Sequence, residues 1–171
     1  MNLNTKIKII AEAGVNHNGD ISIARDLVDI AYEAGADIVK FQTFKANNLV
    51  TSDAKMAKYQ QINTGKSESQ LDMLKRLELK YEDHHELKEY ALKLGIEFLS
   101  TAFDSHSLNF LVQEIGLHRL KIPSGDITNG PLILEHAWTK LPIILSTGMS
   151  DLDEIQQALK VICYGYMTEK N

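Results

Sequence analysis

Short runs of strand-forming residues alternate with longer stretches of helical hydrophobic spacing along most of the chain. The first run, Ile7 to Ala13, puts Ile7, Ile9 and Ala11 on one strand face and Lys8, Ile10 and Glu12 on the other. The loop Gly14-Val15-Asn16-His17-Asn18-Gly19 is rich in turn formers. Asp20 or Ser22 can then cap a helix whose apolar positions are Ile23, Leu27, Ile30, Ala31 and Ala34, stopped by Gly35. The second run, Asp37 to Thr43, sets Ile38, Lys40 and Gln42 against Val39, Phe41 and Thr43. A polar excursion from Phe44 to Ser69 follows, with a helical stretch expected around Ala54 to Gln61.

The pattern then resumes. Helices are predicted near Gln70 to Leu77 and from Asp83 to Leu94, the latter burying Leu87, Tyr90, Ala91 and Leu94. A third strand, Ile96 to Thr101, leads into a helix capped by Asp104 or Ser105 and carrying Leu108, Leu111, Val112 and Ile115. The fourth strand is Leu120-Lys121-Ile122, closed by Pro123-Ser124-Gly125-Asp126. A helix begins near Asn129, with Pro131 in its first turn. The fifth strand, Pro142 to Ser146, closes on Thr147-Gly148, and a last helix uses Ile155, Ala158, Leu159 and Ile162. Strand followed by helix, five times over, predicts an α/β fold with a parallel sheet and helices outside it.

Every unusual polar residue falls at a strand's C-terminal end: Glu12, Lys40 with Gln42, Thr101, Lys121 with Ser124 and Asp126, and Ser146 with Thr147. Ligands bind at that end in barrels and in open α/β sheets. An ammonium in a mostly buried strand costs several kcal/mol unless something compensates it, and an anionic ligand would do so. An edge strand whose lysine reaches out to water is the alternative for either lysine taken alone. Two lysines with hydroxyls and helix-start amides make an anion site, suited to a ligand bearing both phosphate and carboxylate. Glu12 and Asp126 could bind sugar hydroxyls or move protons.

Composition narrows the classes. The 171 residues carry a formal net charge of -5, which argues against nucleic acid as the main partner. The one cysteine, Cys163, cannot form an internal disulfide; it is read as a core residue and fits a reducing, cytoplasmic setting. The opening MNLNTKIKII is too polar for a signal peptide, and no stretch is long and apolar enough to span a membrane.

Five blocks in order, IIAEAGVNHNG, ADIVKFQTF, FLSTAFD, LKIPSGDITNGPLI and IILSTGMS, resemble successive motifs of the sialic acid synthase family, which includes N-acetylneuraminate, legionaminate and pseudaminate synthases. The resemblance implies a (β/α)8 TIM barrel that condenses phosphoenolpyruvate with an N-acetylated hexosamine aldehyde. N-acetylmannosamine or a diacetamido-trideoxyhexose would be the acceptor, and a nine-carbon 2-keto acid the product. It implies Lys40, Thr101, Lys121, Ser124 and Ser146 as phosphoenolpyruvate contacts, Glu12 and Asp126 as catalytic acceptor-side carboxylates, and Asn16, His17 and Gln42 beside the acceptor. Asp126 stands where that family commonly has Glu, one methylene longer.

Against that pattern, residues 1–171 supply the first five βα units, without the late strands or a C-terminal antifreeze-like domain. A divalent ion, Mn²⁺ or Mg²⁺, is implied by the family, but its histidine ligands lie on late strands beyond this chain. His17, His84, His85, His106, His118 and His136 do not form such a set. Open strand edges predict association, for which a homo-oligomer is the expected form, and an isolated chain without synthase activity. Two other readings stay open: a non-catalytic anion-binding or assembly module, and another phosphoenolpyruvate-using aldolase-type synthase related to 3-deoxy-octulosonate synthases.

Overall fold

The structure is a computed structural model that describes residues 7–51 and 69–170. The helix expected around Ala54 to Gln61 lies outside the described residues. The first three strands, β1 (Ile10–Gly14), β2 (Ile38–Thr43) and β3 (Glu97–Ala102), form one parallel sheet in that order. Two more, β4 (Leu120–Ile122) and β5 (Ile143–Leu145), form a second parallel pair. Neighbours in sequence are therefore neighbours in space. Glu97 at the start of β3 receives Lys8 at 3.4 Å and Arg119 at 2.8 Å, which ties the segments leading into β1 and β4 to one carboxylate.

Seven α-helices occur among the described residues: α1 (Ile21–Glu33), α2 (Ala46–Leu49), α3 (Gln70–Leu77), α4 (Tyr81–Leu94), α5 (Ser105–Gln113), α6 (Gly130–Trp138) and α7 (Leu152–Met167). Their starts follow from local chemistry. Asp20, Ser69, Asp104, Asn129 and Asp151 each accept a backbone N–H in the first turn of the helix that follows. Each such cap stabilises by about 1 kcal/mol. Asp104 also accepts from the Lys45 N–H at 3.1 Å and from Asn48 Nδ2 at 3.3 Å. Burial pushes its carboxyl pKa up, but these donors and Ser107 outweigh burial and hold it below the ordinary value. One carboxylate thus fixes the chain after β2 against the chain after β3.

The main core lies between the three-stranded sheet and its helices, with Val28, Phe41, Leu87, Leu99, Leu111 and Ile115 fully enclosed. A smaller cluster, Ile122, Ile127, Ile133, Ala137, Ala158 and Ile162, joins β4 to α6 and α7. Polar groups also enter the core. His84 Nδ1 donates to the Lys80 carbonyl at 2.8 Å, so its Nε2 accepts from Thr43 Oγ1 at 2.8 Å. Thr43 Oγ1 in turn accepts from Ser100 Oγ at 2.6 Å. The chain pins α4 to the ends of β2 and β3.

Several expectations shift. The first strand begins at Ile10, not Ile7, because β2 begins at Ile38, opposite Ile10; Ile7 and Ile9 are exposed. On α1 the buried stripe is Ala24, Val28 and Ala31, one position on from Ile23 and Leu27, and Ile23 and Ile30 face water. On α7 the buried positions are Ala158, Ile162 and Gly165, while Leu159 is exposed. Cys163 is exposed rather than part of the core, since it lies one residue, about 100° of helical turn, past Ile162. Helices α6 and α7 pack closely enough that a Cβ on Gly165 would fall 2.5 Å from Ala137 Cβ.

Two measurements check this packing. Gly19 has φ +79°, and a Cβ there would lie 2.3 Å from the Arg76 carbonyl oxygen. Gly19→Ala should therefore destabilise the fold by about 2 kcal/mol in urea unfolding; an unchanged midpoint would contradict this close approach. Burial is also the first cause lowering the pKa of His17, His84 and His136 below the ordinary 6.5. The unfolded chain then binds more protons than the native one once pH falls through that value. Stability should be full above pH 6.5 and decline as pH drops below it; a flat urea midpoint between about pH 7.5 and 5.5 would refute the burial of these rings.

Candidate active site

Four side chains meet where the three-stranded sheet ends. Register puts Glu12 beside Lys40 and Gln42 beside Thr101. Lys40 Nζ lies 2.6 Å from Glu12 Oε2 and donates to Thr101 Oγ1 at 3.2 Å. The lysine side chain is 9% exposed and the glutamate 53%, so a buried cation is held by a carboxylate that reaches in from the rim. The β1–β2 register slips between Glu12 and Gly14, a bulge that bends the strand end. Gly14, at φ +57°, leaves space for two neighbours: a Cβ would sit 3.4 Å from Glu12 Oε1 and 3.5 Å from Gln42 Nε2.

Lys121 joins this group from β4. Its Nζ donates to the Ile122 carbonyl at 3.2 Å. Burial lowers its pKa below the ordinary 10.5, the charge of Lys40 lowers it further, and Glu12 works in the opposite sense. Two ammonium groups and one carboxylate from separate sheets therefore share one electrostatic neighbourhood. Beyond Lys121, the loops after β4 and β5 touch. Ser124 Oγ lies 3.4 Å from where a Gly148 Cβ would be, and the Ser146 N–H donates to the Ile122 carbonyl at 3.0 Å.

Two other predicted residues, Asp126 and His17, have partners outside this cluster. Asp126 lies in the short 3-10 turn Ser124–Asp126, with Asn129 Nδ2 at 3.5 Å from its Oδ1. Burial raises its pKa, while the Asn129 hydrogen bond and then His136 on α6 work in the opposite sense. His136 is enclosed; its Nδ1 donates to the Leu132 carbonyl at 2.8 Å and its Nε2 has no hydrogen-bond partner. Nothing in the sequence distinguished His136 from an ordinary packing histidine. His17 is not open to the site as expected. It is fully buried against Phe41, and its Nδ1 accepts the Gly19 N–H at 2.9 Å, so it holds the loop together from inside. Asn16, by contrast, is exposed on the same loop.

Among the described residues no group of three or more His, Cys, Asp or Glu side chains could hold a metal ion. His17, the histidine nearest the strand ends in sequence, spends its free nitrogen on Gly19. The residues present do not fit a metal cage, and no step below runs through one. No helix among the described residues is long and apolar enough to cross a membrane.

The chain is similar over most of its length to several known proteins. The chain is 55% identical over 154 residues to the N,N'-diacetyllegionaminic acid synthase of Legionella pneumophila, covering 90% of this chain and 43% of that protein. It is 52% identical over 158 residues to the enzyme of the same name from Campylobacter jejuni, covering 92% of this chain and 47% of that protein. The chain thus spans less than half the length of these curated relatives. Its fold matches the crystal structure of the N-acetylneuraminic acid (sialic acid) synthetase of Leptospira borgpetersenii in complex with citrate, with a TM-score of 0.78 and 33% identity over 95% of this chain and 52% of that one. The NeuB family model matches residues 27–171. With its lysine-lined strand ends, its parallel sheets and these relatives, the chain belongs to the NeuB family.

Proposed function

We propose that this chain carries the donor side of a sugar-acid synthase: it binds phosphoenolpyruvate and supports its condensation with an acetamido-sugar aldehyde. The carrying observation is the cluster of Lys40 and Lys121 with Glu12 and Thr101 at the strand ends. An ammonium about 4 Å from an anionic oxygen gains on the order of 4 kcal/mol at an effective dielectric near 20. Two such groups match a molecule with one carboxylate and one phosphate. The hydroxyls of Ser124 and Ser146 would donate to phosphate oxygens. The five strand–helix units would form part of a (β/α)8 barrel, for which sequential parallel neighbours are the required arrangement.

In the reaction, C3 of phosphoenolpyruvate attacks the acceptor's aldehyde carbon and its carbonyl oxygen takes a proton. Water adds at C2, the C2–O bond to phosphate breaks, and a 2-keto acid and inorganic phosphate are released. Lys40 and Lys121 hold the donor's anionic groups through these steps. Glu12, the carboxylate paired with Lys40, would take the proton given up by the water that adds at C2, and the aldehyde oxygen would take its proton from solvent. The two legionaminic acid synthases named above support a diacetamido sugar as acceptor in preference to N-acetylmannosamine. A catalytically silent anion-binding module is the second reading, favoured by the partners of Asp126, which are Asn129 and His136.

Calorimetric titration with phosphoenolpyruvate should show binding by the chain, and Lys40→Met or Lys121→Met should each weaken it by about tenfold or more. No binding by the native chain would sink the donor-site reading. Affinity should fall as pH rises through the lowered pKa of Lys121, below the ordinary 10.5, whereas Lys121→Arg should keep it flat over that range. Assayed with phosphoenolpyruvate, a diacetamido-trideoxyhexose and Mn²⁺, the 171-residue chain should bind without sustained phosphate release; acceptor-dependent turnover would show that these units suffice for catalysis.

A further inference from the structure

Glu12 and an incoming anion cannot both have Lys40 on the same terms. Lys40 is almost wholly buried, and its Nζ has two polar partners, Glu12 Oε2 at 2.6 Å and Thr101 Oγ1 at 3.2 Å. Thr101 is neutral and itself buried, so Glu12 supplies the negative charge that keeps the ammonium tolerable without ligand. The two partners differ in mobility. Thr101 is fixed by the β2–β3 ladder, while Glu12 is half exposed and sits at the bulge that runs to Gly14.

Charge counting sharpens this. With Glu12 in place, the cluster of Lys40, Lys121 and Glu12 has a net charge of one; without it, two. A ligand with two anionic groups meets a half-neutralised site unless Glu12 withdraws. We infer that Glu12 is a built-in stand-in for the ligand's anion: it occupies the Lys40 ammonium in the empty site and is displaced when the anion docks. This rests on the donor-site reading above and adds a consequence to it. The carboxylate is released into the pocket only once the anion has replaced it, so the group able to move a proton becomes free when its partner substrate is in place.

The inference predicts a gain where loss is the ordinary result of altering a catalytic-site residue. Glu12→Gln removes the competing charge at nearly constant shape. It should bind phosphoenolpyruvate and inorganic phosphate roughly three- to tenfold more tightly than the native chain in calorimetric titration. Its thermal unfolding serves as the check that it is folded. Equal or weaker binding by folded Glu12→Gln, with normal binding by the native chain, overturns the stand-in role but leaves the donor site intact. Absence of binding by both overturns the two together. Should Glu12→Gln not fold, a crystal structure of the native chain with phosphoenolpyruvate decides. The Lys40–Glu12 pair should be open there, and a pair still near 2.6 Å beside bound ligand would refute displacement.

Discussion

A buried ammonium is the constraint around which this molecule is arranged. Lys40 stands in the middle of β2, a strand enclosed on both faces apart from Gln42. A cation in such a place requires a counter-charge and hydrogen-bond acceptors within reach, or it must lose its proton. The fold provides them from both neighbouring strands, Glu12 from β1 and Thr101 from β3. Neither could serve if the strand order were different. The parallel order β1–β2–β3 and the register within it are therefore as much a part of the site as the side chains themselves.

The second lysine turns this local solution into an asymmetric pocket. Lys121 arrives from a different sheet and feels both Lys40 and Glu12. Among the described residues its ammonium has one hydrogen-bond partner, the Ile122 carbonyl oxygen. Lys40 is satisfied within the protein, and Lys121 less completely, so the two do not present equal appetite for an anion. The loops that bring Ser124 and Gly148 together lie on the Lys121 side.

Scaffold interactions lie one layer behind. The Thr43–Ser100–His84 chain on β2, β3 and α4, and Asp104 between the segments after β2 and β3, use buried polar groups to fix strand ends. These are satisfied networks, and in a low-dielectric interior they favour one arrangement over near alternatives. His17 belongs to the same class. Its buried imidazole accepts the Gly19 N–H and so holds the Gly14–Gly19 loop from inside.

The sequence by itself determined the element order, the α/β class, a helix cap at Asp20 or Ser22 and another at Asp104 or Ser105, and the placing of Glu12, Lys40, Gln42, Thr101 and Lys121 on the strands. Those features follow from periodicities of two and 3.6 residues and from local hydrogen bonding, which short segments encode. Which strand lies beside which, and hence that Glu12 neutralises Lys40 while Asp126 turns to His136, was decided only in three dimensions. So were the enclosure of His17, the exposure of Cys163 and the shifted stripe of α1. Each depends on which helix face meets the sheet and how far around it turns. One residue of helical phase, about 100°, separates core from solvent, and no local pattern fixes phase to that accuracy.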